Sequence, residues 1–196
     1  MARGDTRNEI VAAALQSLRT RGYARTSARS IASLAGVNPG LLLYYFESVE
    51  DVLVAAVGEA SSERLERHRA AVDEATTIGD LIAVLQSIYR EDQDTGFTRV
   101  LAEMVSASVG NEKLGERVGA IMQPWVDAAA EALERSLGDS PLASLGKPRQ
   151  AALAAVTFYL GANVMMTLGK GQEEIAELMT AGRELALLFE SGNLPL

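Results

Sequence analysis

The sequence predicts an all-α protein: an N-terminal three-helix bundle with a helix-turn-helix, then a larger helical domain, about nine helices in all. Three observations carry that expectation. Apolar residues recur at spacings of three and four through nearly the whole chain, the period of an amphipathic helix. Capping residues and glycines punctuate those runs at regular intervals. No alternating strand pattern, repeat or low-complexity stretch interrupts them. At 196 residues the chain is long enough to bury roughly 70% of the surface it exposes when unfolded.

Taken in order, Ile10, Ala14 and Leu18, with Val11 and Leu15, predict a first helix from about Asp5 to Arg21. Gly22 follows it, where a glycine ends a helix well. Thr26 or Ser27 can cap a second helix that carries Ile31, Leu34 and Ala35, and Gly36 ends it. Asn38 can cap a third, with Pro39 in its first turn. Ser48, with Asp51 three residues on, caps a long fourth helix toward Glu74. Further helices are expected over Ile78–Glu91, about Thr95–Ser108, about Lys113–Leu137, Arg149–Leu168 and Glu173–Glu190. Asp92–Asp94 is read as one separator. Gly138–Pro148, with two glycines and two prolines, is read as a real loop.

Charge divides the chain. Residues 1–46 carry six arginines against Asp5 and Glu9, a net of +4, whereas the remainder carries 12 basic and 24 acidic residues. A basic head on an acidic body marks a nucleic-acid-facing end. Arginine is also the side chain suited to paired phosphate contacts. The chain has no cysteine, so disulfides and thiolate metal sites are excluded. No apolar run approaches the ~20 residues that span a bilayer, and the charged start shows no secretory signal. A cytoplasmic protein with no membrane partner is expected.

Ala28–Glu47 is the most informative stretch. Two short helices meet at Ala35-Gly36-Val37, where glycine can take the positive φ that a sharp turn needs. Ala32 allows a close crossing, and Ile31, Val37, Leu42 and Tyr45 supply a small shared core. That arrangement suits a helix-turn-helix whose second helix enters a major groove. An ordinary helical hairpin would share the pattern, but this one sits in the basic segment and its second helix is only about two turns long.

Residues 10–53 resemble the N-terminal domain of the TetR family of bacterial transcriptional regulators. The likeness runs through Ile10-Val11, Ala13-Ala14-Leu15, Gly22-Tyr23, Thr26-Ser27, Ile31-Ala32, Ala35-Gly36-Val37, Gly40, Leu42, Tyr45-Phe46, Ser48, Glu50 and Leu53. The resemblance implies a nine-helix, omega-shaped homodimer. It assigns helices 1–3 to double-stranded DNA, helices 5–7 to a small-molecule pocket, and helices 8 and 9 to the dimer interface. The expected domains are residues 1–47 for DNA binding and 48–196 for effector binding and dimerisation. Effector binding would shift helix 4 and spread the two reading heads, a population shift between two states.

The outward positions on the third helix are Asn38, Pro39, Gly40, Leu41, Leu43 and Tyr44. The expected DNA-facing set is Asn38, Pro39, Gly40, Leu41, Tyr44 and Tyr45, supported by Thr26, Ser27 and Arg29 on phosphates. Arg3 and Arg7 would reach neighbouring phosphates or the minor groove. Two departures from the family pattern remove phosphate partners: Leu43 replaces a usual tyrosine, and Val49 replaces the lysine that usually follows Ser48. Each lost contact flattens the salt dependence by about 0.9.

In the body, Tyr89, Phe97, Met104, Met122, Trp125 and Phe158 are the expected effector residues, with Tyr89, Arg99, Glu103 and Asn163 as polar candidates. Pro124 lies inside a helical run and would kink it. Ala151, Ala152, Ala154, Ala155, Gly161 and Ala162 permit close helix approach, and Leu178, Leu185, Leu188 and Phe189 share one side of the last helix. Both sets suit a two-fold interface. No catalytic constellation is present: the single histidine, His68, is expected on a solvent-facing helix surface, and Gly169-Lys170-Gly171 lacks phosphate-loop spacing. No cofactor or metal is expected. The chain reads as a ligand-responsive regulator, with repression the expected action. The competing reading is a ligand- or protein-binding module of the same fold that no longer reads an operator.

Overall fold

The computed structural model describes residues 3–137, 147–169 and 171–191. Among them lie nine helices and no strand: α1 Arg3–Arg21, α2 Ala28–Ala35, α3 Pro39–Tyr45, α4 Val49–Glu74, α5 Ile78–Thr95, α6 Phe97–Ser108, α7 Glu112–Leu137, α8 Pro148–Thr167 and α9 Gln172–Glu190. The glycine-rich stretch predicted as a loop falls almost wholly outside the described residues, as does Lys170.

One prediction needs correction. Asp92–Asp94 does not separate two helices, because α5 continues to Thr95 and stops at Gly96, whose φ of 71° is left-handed. Asp92 stays helical because it lies on the same face as buried Ile88 and Tyr89, and is itself fully buried. The charge is tolerated there because an arginine meets it. α7 runs as one helix through Pro124, which is exposed.

The chain divides into two compact units. The first comprises residues 1–63 with 99–121, and the second residues 64–98 with 122–196. In the first, Ile10, Ala14, Leu18, Ile31, Leu42, Val52 and Leu53 are buried to 1% exposure or less, so these members of the predicted apolar stripes turn inward. Val100, Leu101, Met104 and Leu114 are likewise buried. Burial of each such side chain contributes roughly 1.5–3 kcal/mol.

In the second unit α5 packs along α9. The carboxylate of Glu190 accepts the N–H of Ile78 at 2.7 Å, satisfying a free donor at the start of α5. Thr77 caps the same helix and Asp80 returns the bond. α7 meets α8 through Val126, Ala130 and Ala152, whose small volumes permit the close approach.

Candidate DNA-reading face and the polar centre of the second unit

The helix pair α2–α3 is built by caps that the sequence specifies. Ser27 accepts the N–H of Ser30, and the Ser30 hydroxyl returns a bond to the Ser27 N–H, a reciprocal capping box. Gly36 takes φ 67° and its N–H reaches the carbonyl of Ala32, closing α2 with a left-handed residue. The Val37 N–H reaches that same carbonyl at 2.9 Å. Asn38 then caps α3: its side-chain oxygen accepts the Gly40 N–H at 2.8 Å, and Pro39 occupies the first turn, where its missing N–H costs nothing.

These caps aim α3. Asn38, Pro39, Gly40, Leu41, Leu43 and Tyr44 are all exposed, with Leu43 at 57% and Tyr44 at 62%. Leu42 is sealed below them and Tyr45 is half-buried, its ring edge-on to Tyr44 at 5.3 Å. Ser27 and Arg29 are exposed on α2 and its cap. Two expected DNA contacts are engaged internally. Thr26 donates to the Gly22 carbonyl at 2.8 Å and lies 3.0 Å from Ser17 Oγ. Arg7 pairs with Glu59 at 2.8 Å and lies over the Phe46 ring. The side chain of Arg3 lies outside the described residues.

A polar clip within the first unit holds the turn between α1 and α2. Glu103 of α6 accepts the Tyr23 N–H at 2.8 Å. Its carboxylate fills the space beside Gly22, where a Cβ would fall 2.6 Å from the oxygen, and Gly22 has φ 77°. Glu50 of α4 accepts from the Tyr23 hydroxyl at 3.4 Å and from Asn111 at 3.1 Å. Arg117 of α7 pairs with Asp51 at 2.7 Å and with Glu50 at 3.8 Å. The Ser48 hydroxyl, which caps α4, and then Arg117 hold the Asp51 carboxyl below its ordinary range. Glu103, expected among effector residues, thus holds the α1–α2 turn instead, and Arg99 is exposed.

The second unit buries a charged group at its centre. Arg64 of α4 is 5% exposed and Asp92 of α5 is fully buried. Arg64 Nη2 donates to Asp92 Oδ2 and, at 3.3 Å, to the Tyr159 hydroxyl, which itself donates to Asp92 Oδ2. The guanidinium lies over Phe97 at 4.1 Å and Trp125 at 5.2 Å from the ring centroids, a cation–π sandwich. Burial pushes the Asp92 carboxyl up to about 6 in spite of Arg64, and burial lowers Arg64. Asn163 is fully buried and donates to the Tyr159 carbonyl at 2.7 Å.

Of the six expected effector residues, Tyr89, Phe97 and Trp125 stand at or beside this centre. Met122 is buried and Phe158 half-buried in the same unit, whereas Met104 is buried in the other. Sequence reasoning missed Arg64 and Asp92. A signal existed: Arg64 follows buried Val57 and Ser61 at helical spacing, and Asp92 follows Ile88 and Tyr89, so both polar residues fall in the phase of a buried stripe. His68 differs from its expected solvent-facing place, being 12% exposed and 2.8 Å from Glu91. On α8 and α9, Leu153, Met165, Leu178, Leu185 and Leu188 are each 45% exposed or more, as is Leu168 just after α8. The side chains of Met166 and Phe189 lie outside the described residues.

Residues 10–56 match the family described as bacterial regulatory proteins, tetR family. Over 134 residues the chain is 28% identical to an HTH-type transcriptional regulator of Mycobacterium tuberculosis, covering 67% of this chain and 69% of that protein. It is 22% identical to the fatty acid metabolism regulator protein of Bacillus subtilis over 61% of each chain. In fold it is similar to the fatty acid degradation regulator FadR of Bacillus halodurans, with TM-score 0.77 and 19% identity over 95% of this chain and 97% of that one. It is also similar to FadR of Bacillus subtilis in complex with stearoyl-CoA, with TM-score 0.76 and 19% identity over 96% and 99%.

Proposed function

We propose that this chain, which belongs to the TetR family of helix-turn-helix transcriptional regulators, binds a two-fold operator as a homodimer and represses until a small, largely apolar effector releases it. The family is non-enzymatic. The observation that carries the reading is the exposed face of α3, set by the Gly36 turn inside the basic segment. Asn38, Pro39, Gly40, Leu41, Tyr44 and Tyr45 would meet bases and nearby backbone, with Ser27, Thr26, Arg29, Arg7 and Arg3 toward phosphates. Residues 1–47 form the DNA-binding domain in this reading, and 48–196 the effector and dimer domain.

The exposed apolar residues Leu153 and Met165 of α8 and Leu178, Leu185 and Leu188 of α9 support pairing with a second copy, because scattered single apolar residues are normal but a patch over two helices marks an interaction surface. A two-fold dimer sets its recognition helices about 34–36 Å apart, one turn of DNA. The stearoyl-CoA complex of the Bacillus subtilis relative supports an acyl chain as effector body. A cytoplasmic setting follows from the same reading. Among the described residues no helix is long and apolar enough to cross a membrane.

Fluorescence anisotropy with duplex from the region upstream of its own gene, across a range of salt, tests this. The expected result is tight binding that weakens with salt and is reversed by long-chain acyl-CoA. Absence of binding to any duplex at low salt would overturn it. That outcome would favour the module that keeps its ligand and has no operator. Leu43 and Val49 motivate that second reading, since neither can bond a phosphate.

A further inference from the structure

The centre of the second unit holds more hydrogen-bonding capacity than the chain itself uses. Asp92 Oδ1, Asn163 Oδ1 and Arg64 Nε are buried and have no partner, and the hydroxyl of Tyr89, whose ring meets that of Tyr159, is a further such atom. Buried polar atoms are nearly always satisfied, so unpartnered atoms on residues joined through Tyr159 call for a guest. The helices that supply them are α4, α5 and α8, and the rings of Phe97, Trp125, Tyr89 and Tyr159 stand around the pair.

The charges decide what kind of guest fits. Arg64 and Asp92 balance, so the cluster as a whole is neutral. A carboxylate would bring only acceptors to a place where two acceptors, Asp92 Oδ1 and Asn163 Oδ1, await a donor, and would stand against Asp92. An ammonium would find the faces of Phe97 and Trp125 already covered by the guanidinium, and would stand against Arg64. An uncharged head with an N–H or O–H donor and one acceptor matches the vacancies without adding charge.

Building on the effector-binding reading above, we propose that Arg64, Asp92 and Asn163 form the polar end of the effector site and take an uncharged hydroxyl or amide head on an apolar body. The head donates to Asp92 Oδ1 or Asn163 Oδ1, and its oxygen accepts from Arg64 Nε–H.

Asp92 accepts well only when ionised. The charged groups acting on it are Arg64 and Arg67 from α4 and Glu91 from α5, with the Tyr159 hydroxyl from α8. Protonation near pH 6 therefore competes with the guest.

The test is calorimetric titration of the full-length protein with a matched medium-chain primary amide, alcohol, carboxylate and amine. Titrations at about pH 7.5 and about pH 5 cross the Asp92 transition. The amide and alcohol should bind at least about ten-fold more tightly than the two ions. Both should lose about ten-fold on going to the lower pH. In Asp92→Asn, checked for folding by circular dichroism, that pH dependence should vanish. Asn163→Leu, which leaves the Arg64–Asp92 pair in place, should weaken the amide and spare the pH dependence.

Strongest binding by the carboxylate, growing as pH falls, would overturn the assignment, as would strongest binding by the amine. Equal binding of all four compounds would overturn the head assignment alone and leave an apolar effector site standing. Binding of long-chain acyl-CoA but of none of the four would overturn this assignment and leave the effector reading standing, whereas no binding by any of the five, with DNA binding intact, would remove both.

Discussion

The two polar clusters of the molecule solve opposite problems. The clip around Glu50, Asp51, Glu103, Asn111 and Arg117 sits at a partly open surface, where the Arg117 side chain is 38% exposed and that of Asp51 28%. Water screens it, so each pair adds little energy and the clip's value lies in geometry: it fixes the α1–α2 turn. The Arg64–Asp92 pair is sealed. Removing two charges from water costs several kcal/mol per ion, and the pair recovers that only through close bonds that here leave two of its atoms, Arg64 Nε and Asp92 Oδ1, unused. That imbalance suits the effector site proposed above better than a purely stabilising role.

Breaking one half of the sealed pair should therefore have the largest effect. Arg64→Ala or Asp92→Ala is expected to lose about 3–5 kcal/mol in urea unfolding, because each strands a buried charge. Arg64→Met combined with Asp92→Leu should recover most of it. Losses under about 1 kcal/mol for both single variants would mean that the pair is wet.

The next effect is in pH. Asp92 titrates near 6 in the folded chain and near 3.8 unfolded, so the native state takes up its proton first. Its contribution to stability is full below about pH 4 and declines as pH rises through 6, by about 3 kcal/mol. Asp51 runs the other way: its carboxyl is lowered, so its small contribution is present above its ordinary value and lost on acidification. Thermal melts between pH 4 and 7, with Asp92→Asn as reference, separate the two slopes. A flat difference curve would refute the first.

A smaller effect contrasts two glycines. Gly22→Ala meets both a left-handed backbone and the Glu103 carboxylate and should cost about 1–2 kcal/mol. Asparagine tolerates that backbone but would still collide at position 22. At Gly36 nothing lies within 4 Å of a Cβ, so Gly36→Asn should cost only a few tenths of a kcal/mol. Equal melting shifts for Gly22→Asn and Gly36→Asn would show that Glu103 yields. Smallest of all, Arg117→Ala should lower stability by less than about 1 kcal/mol, an effect that salt erases.

The α2–α3 helix pair was legible because its determinants are local. Ser27, Gly36, Asn38 and Ser48 act within four residues of their own positions, and each cap formed where its side chain allowed. The second unit was less legible because its determinants are partners. The run Asp92–Asp94 looks like a break until Arg64, 28 positions away, is brought beside it. Glu103 lies on a face that periodicity identifies as half-covered, but periodicity does not say that the cover is the backbone of Tyr23. His68 reads as solvated until Glu91 arrives from α5. Helical phase tells which residues turn inward, and only the tertiary fold says what they meet.

The Asn38 cap also limits the alphabet of an operator. With its oxygen turned back to the Gly40 N–H, one of that oxygen's two lone pairs is used, and the NH2 group is the end left wholly open to a duplex. The paired contact by which asparagine singles out adenine needs both ends of the amide. A lone donor is accepted by guanine N7 or O6, adenine N7 and thymine O4, and is refused by cytosine alone. In the proposed DNA-bound state the base facing Asn38 should then be any but cytosine, a loosely constrained position in an otherwise defined binding motif.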